Sequence, residues 1–150
     1  MRKTKYLLLC AMLTAISVIA FGGTVTRADD EKYAEITFEK TSYDFGLFDR
    51  AHGDKTCWFV FTNTGNKELI IKTASASCGC TDPVFPKTAI LPGMKDSIQV
   101  NYKGSTNRVG TFRKTISLET NAKVNTSYLY IFGEMVEELV QERVDNTPSK

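Results

Sequence analysis

From Lys55 onward the chain repeats one device. Short runs rich in aromatic and β-branched side chains are separated by turn residues. Such runs suit a pleated, packed surface and resist a helix. In Lys55-Thr56-Cys57-Trp58-Phe59-Val60-Phe61, side chains alternate across a strand, so Cys57, Phe59 and Phe61 share one face and Trp58 takes the other. Asn63-Thr64-Gly65-Asn66 is turn chemistry, and Leu69-Ile70-Ile71 restarts the chain as a second strand. Leu91-Pro92-Gly93 turns into Ser97–Tyr102, where Ile98, Val100 and Tyr102 face one way with polar residues opposite, a half-buried antiparallel strand. A polar loop from Gly104 to Gly110 leads into Phe112–Leu118, with Phe112, Ile116 and Leu118 on one face. Asn121-Ala122-Lys123 turns again into Tyr128–Phe132. Upstream, Glu35–Phe38 and Tyr43–Gly46 supply a first, broken strand. About seven short antiparallel strands with regular turn signals indicate an all-β, immunoglobulin-like sandwich.

The start of the chain has a different character. Arg2, Lys3 and Lys5 precede an apolar stretch from Tyr6 to Phe21, and Thr26 and Ala28 are small enough for a signal-peptidase site. We expect a signal peptide over residues 1–28, cleaved before Asp29. The rival is an uncleaved anchor, but the stretch is short of the about 20 apolar residues that a span needs. Cys10 leaves with the signal. It sits too early for lipid attachment and lacks the small residues before it. Loss of Arg2, Lys3, Lys5 and Arg27, with no acid among them, turns the formal net charge from +2 to −2. The basic balance of the whole chain therefore belongs to the signal, and no basic patch points to nucleic acid. The mature chain reads as a linker over 29–34, a sandwich over 35–133 and a polar tail over 134–150. In that tail Met135, Val136, Leu139, Val140 and Val144 recur at helix-like intervals, which suggests a short amphipathic helix or a frayed end. The expected compartment is the periplasm or the exterior, with no stable membrane span after cleavage.

The residues with chemistry are few. Ser77-Cys78-Gly79-Cys80-Thr81 places two thiols around one glycine in an exported chain, where oxidation is the default. A bent C-G-C, helped by a positive φ at Gly79, brings the Cα atoms within disulfide reach. Cys57 makes the mature cysteine number odd. The preferred arrangement pairs Cys78 with Cys80 and buries Cys57. The alternatives are a bridge from Cys57 to this loop, a redox-active or sensing pair, and a metal site. Zinc would have to draw on Cys57, Cys78, Cys80 and His52, at spacings unlike those of known zinc modules. A soft copper site on Cys78 and Cys80 with Met94 is chemically reasonable, but nothing in the sequence brings Met94 near. His52 reads as a solvated turn residue. No catalytic constellation stands out. There is one histidine and no G-x-S-x-G elbow, while Asp44, Asp49 and Asp54 read as turn and surface groups. Asp44 and Asn63 read as local backbone acceptors. Asn125-Thr126-Ser127 fits a glycosylation sequon but reads as unmodified surface. No cofactor is implied.

Taken in order, Tyr43-Asp44-Phe45-Gly46, Phe59–Gly65, Leu69–Ile71, Ser77–Thr81, Leu91–Gly93 and Gly110–Phe112 resemble the bacterial "domain of unknown function 1573" family across roughly residues 36–133. The resemblance implies an immunoglobulin-like domain of the Hydin and major-sperm-protein kind. It also implies an exported protein of a type frequent in the Bacteroidetes. It brings no assigned activity. Two function classes follow. One is a non-catalytic binding or scaffolding module for an unknown protein partner or cell-envelope component, using loops or strand edges. The other is thiol redox or soft-metal handling at Cys78-Gly79-Cys80.

Overall fold

The computed structural model describes residues 31–139. The expected signal peptide, Cys10 and the end of the tail from 140 lie outside the described residues. Eight strands follow in order: β1 (Ile36–Phe38), β2 (Ser42–Asp49), β3 (Asp54–Asn63), β4 (Ile71–Ala76), β5 (Thr81–Val84), β6 (Lys95–Lys103), β7 (Gly110–Thr120) and β8 (Thr126–Val136). One 3-10 turn spans Arg50–His52. The strands form two four-stranded sheets, β1-β3-β6-β5 and β2-β8-β7-β4, packed as a sandwich. Among the described residues, no helix is long and apolar enough to cross a membrane.

The alternation read from the sequence sets the faces. Cys57, Phe59 and Phe61 are 1%, 1% and 0% exposed, whereas Trp58 between them is 56% exposed. On β6, Ile98, Val100 and Tyr102 are buried, and on β7 Ile116 and Leu118 are buried against Leu129 and Ile131 of β8. Each such side chain contributes on the order of 1.5–3 kcal/mol when fully withdrawn from water. The result is one continuous core between the sheets.

The first, broken strand is a strand that changes sheets. β1 pairs antiparallel with β3, and β2 runs parallel to β8 in the opposite sheet. The sandwich therefore has eight strands with one parallel pair, where the sequence suggested about seven antiparallel ones. The Asp44-Phe45-Gly46 motif lies inside β2. There the register shifts between Asp44 and Leu47, Asp44 Oδ1 accepts from the Gly46 amide at 2.8 Å, and Gly46 sits at φ +66°. A left-handed residue of this kind makes a bulge. The bulge aims Phe45 at the core, where it faces Tyr102 at 6.4 Å between ring centroids. Tyr102 in turn stacks on Phe112 at 4.3 Å.

Two boundaries also move. Ala34, expected in the linker, is fully buried and bridges to Ala122. Glu134–Val136, expected in the tail, complete β8, and Met135 is fully buried. Met135 pairs with Phe48 on one side and Gly110 on the other, so two flanking strands hold Met135 and Val136 in a strand and not a helix, while Val140 and Val144 of the helix-like spacing lie outside the described residues.

Candidate functional site

Cys78 and Cys80 form a disulfide, with Cα atoms 5.2 Å apart. Cys57 is a free, buried thiol on β3, so the alternative Cys57 bridge is not formed. The loop is tied to both sheets. The Ser77 amide donates to the Thr115 carbonyl on β7 at 2.9 Å, and the Lys103 amide of β6 donates to the Cys80 carbonyl at 2.8 Å. Thr81 is buried beneath it, its Oγ1 3.5 Å from Cys78 Sγ and 3.8 Å from Cys80 Sγ. The disulfide thus closes the crossing where the chain leaves one sheet for the other. Gly79 departs from expectation, because its φ is not in the left-handed region and the space around it is open. The turn closes without glycine's special freedom.

The other chemistry-bearing residues stand apart from this loop and from one another. Burial pushes the Cys57 thiol up to about 12, away from the thiolate form that reacts or binds metal. His52 Nδ1 lies 2.7 Å from Asp49 Oδ1, and Asp49 also accepts from the His52 amide. Those His52 hydrogen bonds, backbone first, hold the Asp49 carboxyl below its usual range. Asp54 is lowered by Ser105, whose hydroxyl and amide both donate to it. Asp44, Asp49 and Asp54 therefore each fasten a separate turn. Met94 precedes β6 and Cys80 is bonded at the far end of that strand, a strand length of roughly 27 Å away. This distance removes Met94 from any copper site on the loop. Among the described residues, no three His, Cys, Asp or Glu side chains gather closely enough to hold a metal ion.

Asn63 does more than the local capping read from the sequence. It is fully buried. Its Oδ1 accepts from Gly65 at 3.1 Å, and its Nδ2 donates to the carbonyls of Lys67 and Ile90 at 2.8 and 2.9 Å. Asn125 keeps an exposed position and holds the β7–β8 turn through its carbonyl, which accepts from Thr120.

The accessible features are surfaces. On the outer face of the first sheet, Trp58 pairs across to Gln99, and Gln99 to Val84, which is 51% exposed. These residues, with Phe85 and Pro86, line a shallow hollow of about 410 Å³. On the outer face of the second sheet, Tyr128, Tyr130 and Phe132 follow one another along β8. Tyr128 is 52% exposed, and the Arg113 guanidinium lies 4.6 Å from the Tyr130 ring. Sequence reasoning passed over this second face. Its signal was present: Tyr128-Leu129-Tyr130-Ile131-Phe132 is apolar at every position, so both faces of the strand carry apolar groups.

The fold has counterparts among solved structures. The PapD-like domain 7 of human CEP192, an ASH / PapD-like domain, matches with a TM-score of 0.58 at 9% identity, over 83% of this chain and 99% of that one. A protein of unknown function from Porphyromonas gingivalis W83 matches with a TM-score of 0.57 at 15% identity, over 75% of this chain and 51% of that one. The periplasmic chaperone SfaE matches with a TM-score of 0.51 at 8% identity, over 68% of this chain and 60% of that one. The chain thus spans about half of the P. gingivalis protein and under two thirds of SfaE. At these identities the likeness concerns the fold. No curated protein matches the chain. The motif blocks around Asp44, Asn63 and Cys78 are the places where the fold has its bulge, its buried amide and its stapled crossing, and the chain that carries them over residues 36–135 belongs to the family described as "Protein of unknown function (DUF1573)".

Proposed function

We propose that the protein is an exported, non-catalytic binding or scaffolding module of the periplasm or cell exterior. The observation that carries this reading is Trp58: a large aromatic, 56% exposed, on an inner strand of its sheet, where it lines a shallow hollow of mixed character with Val84, Phe85, Asp96, Ser97 and Gln99. Tryptophan on such a platform is a frequent anchor of protein interfaces. The cysteine chemistry points the same way. Both sulfurs of the loop are spent on each other, and Cys57 is withdrawn into the core. The same sandwich in a periplasmic chaperone is consistent with a partner-binding role in that compartment.

The test has two arms. Protein recovered from the periplasmic fraction is expected to begin at Asp29. A photo-reactive amino acid in place of Trp58 is expected to crosslink one discrete species in living cells, competed away by excess unmodified protein. Retention in the cytoplasm with residues 1–28 intact would refute export. Crosslinks that excess protein does not compete away would refute specific binding at this face.

A further inference from the structure

A sandwich of two open sheets has four edges, and exposed edges are templates for another strand unless they are blunted. Three of the four are blunted here. β1 has only three residues. β5 has four and contains Pro83, which has no amide to donate. β2 is interrupted by the bulge at Gly46. β4 is different. After a register shift between Ile71 and Thr73, it runs regularly through Thr73, Ala74, Ser75 and Ala76, with no proline and no charge beyond Lys72.

The hydrogen-bond parity shows what this edge offers. In an antiparallel pair, alternate residues turn both backbone groups toward the partner and the residues between turn them away. Ser77 donates to Thr115 of β7, and the register then makes Ser75–Ser117 and Thr73–Glu119 the bonded pairs. Thr120 donates to the Asn125 carbonyl on the β8 side, the same alternation seen from the other strand. The amides and carbonyls of Ala74 and Ala76 therefore point away from β7. The stretch is bounded on both sides. At one end the Leu69–Ile90 bridge ties the two connections together, with bonds of 2.9 and 2.8 Å, and at the other stands the disulfide loop. Between them lies a slot about 13 Å long, four residues of strand.

We propose that this slot takes an extended segment of a partner protein as an added strand, with bulky apolar side chains at alternate positions. The inference rests on the reading of the protein as a binding module. The side chains along β4 choose the occupant. Ala74 and Ala76 are half-buried, small side chains packed at the margin of the core, so larger groups on an added strand would lie over that margin. The matching stretch of a second copy, Thr73–Ala76, would bring only alanine, serine and threonine to the slot. Two such edges cover far less than the roughly 1,000 Å² that a stable interface needs. Large apolar side chains on a foreign strand would cover that margin, while its backbone would satisfy Ala74 and Ala76.

The probe is a capped synthetic peptide of alternating valine and threonine with a lysine at each end, added to the mature protein. Amide hydrogen exchange is read by NMR. In free protein the Ala74 and Ala76 amides are expected to exchange at least about tenfold faster than those of Ser75 and Ser77. Peptide is expected to slow Ala74 and Ala76 selectively. Ala76→Pro removes an outward donor without breaking a bond to β7, so it is expected to keep the fold and abolish this protection. Ala74→Pro serves the same purpose should the first variant not fold. Equal protection of Ala74 and Ser75 in free protein would overturn the proposal. So would protection of Ala74 and Ala76 that tracks protein concentration and not peptide, which would assign the slot to a second copy. Peptide protection confined to β1, β2 or β5 would overturn the β4 assignment while leaving the binding-module reading intact.

Discussion

The side-chain amide of Asn63 donates to the carbonyl of Ile90 at 2.9 Å, joining positions 27 residues apart inside the core. The same amide donates to Lys67, and its oxygen accepts from Gly65, so one buried side chain fixes a turn and two connections. Asn63→Ala removes the side-chain bonds to Lys67, Ile90 and Gly65, at about 0.5–1.5 kcal/mol each, although the Ile90 carbonyl keeps the Leu69 amide as a donor. Asn63→Asp supplies no donor and adds a charge. We expect losses of roughly 2–4 kcal/mol for alanine and more for aspartate, read from urea midpoints at constant m. A change below about 0.5 kcal/mol for either, the range of an ordinary surface substitution, would contradict the account.

Cys57 makes stability depend on alkaline pH. Its folded value is raised from 9.0 to about 12 by burial. Above about pH 9 the unfolded chain sheds this proton while the folded chain keeps it, so the unfolded state binds fewer protons and stability falls as pH rises. The contribution is fully present below that pH and lost toward 12. Tyr102 is raised by burial as well, so the comparison is with Cys57→Ala. The stability advantage of the natural protein over that variant is expected to shrink between pH 9 and 12 in denaturant titrations. A constant gap would contradict the assignment.

The disulfide closes a separation of only two residues. Chain-entropy reasoning gives such a small loop about 1–2 kcal/mol. The double variant Cys78→Ser, Cys80→Ser is therefore expected to unfold cooperatively, with native near-ultraviolet circular dichroism and a loss within that range. Loss of cooperative unfolding would show that the core depends on the staple.

Two glycines are expected to behave oppositely. A Cβ at Gly65 would meet the Glu35 amide nitrogen at 2.6 Å and the Ala34 carbonyl carbon at 2.9 Å, both backbone, so Gly65→Ala must push the chain entering β1 away from its turn. We expect a cost of about 1–3 kcal/mol, that of overpacking a tight site. Gly79→Ala meets nothing within 4 Å. It is expected to leave disulfide formation and thermal stability unchanged.

Much of this was legible in the sequence, for local reasons. The alternation in Lys55–Phe61 and Ser97–Tyr102 assigned core and surface correctly, because the period of a strand is a property of the backbone alone. The Asp44 and Asn63 bonds to nearby amides were likewise local. What was hidden depends on partners distant in sequence. Nothing in Ile36–Phe45 states that β1 and β2 belong to opposite sheets, since that is decided by Asn63 on one side and Tyr130 on the other. β5 escaped notice because four residues containing a proline read as a loop until β6 pairs with them. At the candidate site, the preferred Cys78–Cys80 pairing was legible from spacing. The Ala74 and Ala76 edge was not, because parity toward β7 is a matter of register.

The central claim is that the cysteine loop is a staple in a binding module and not a reactive thiol pair. Protein taken from the periplasmic fraction, alkylated without reductant and read by intact mass and peptide mapping, tests it most directly. The account predicts no label on Cys78 or Cys80 and labelling of Cys57 only after denaturation. Ready alkylation of Cys78 and Cys80 in the native protein would contradict it and give the thiol chemistry first place.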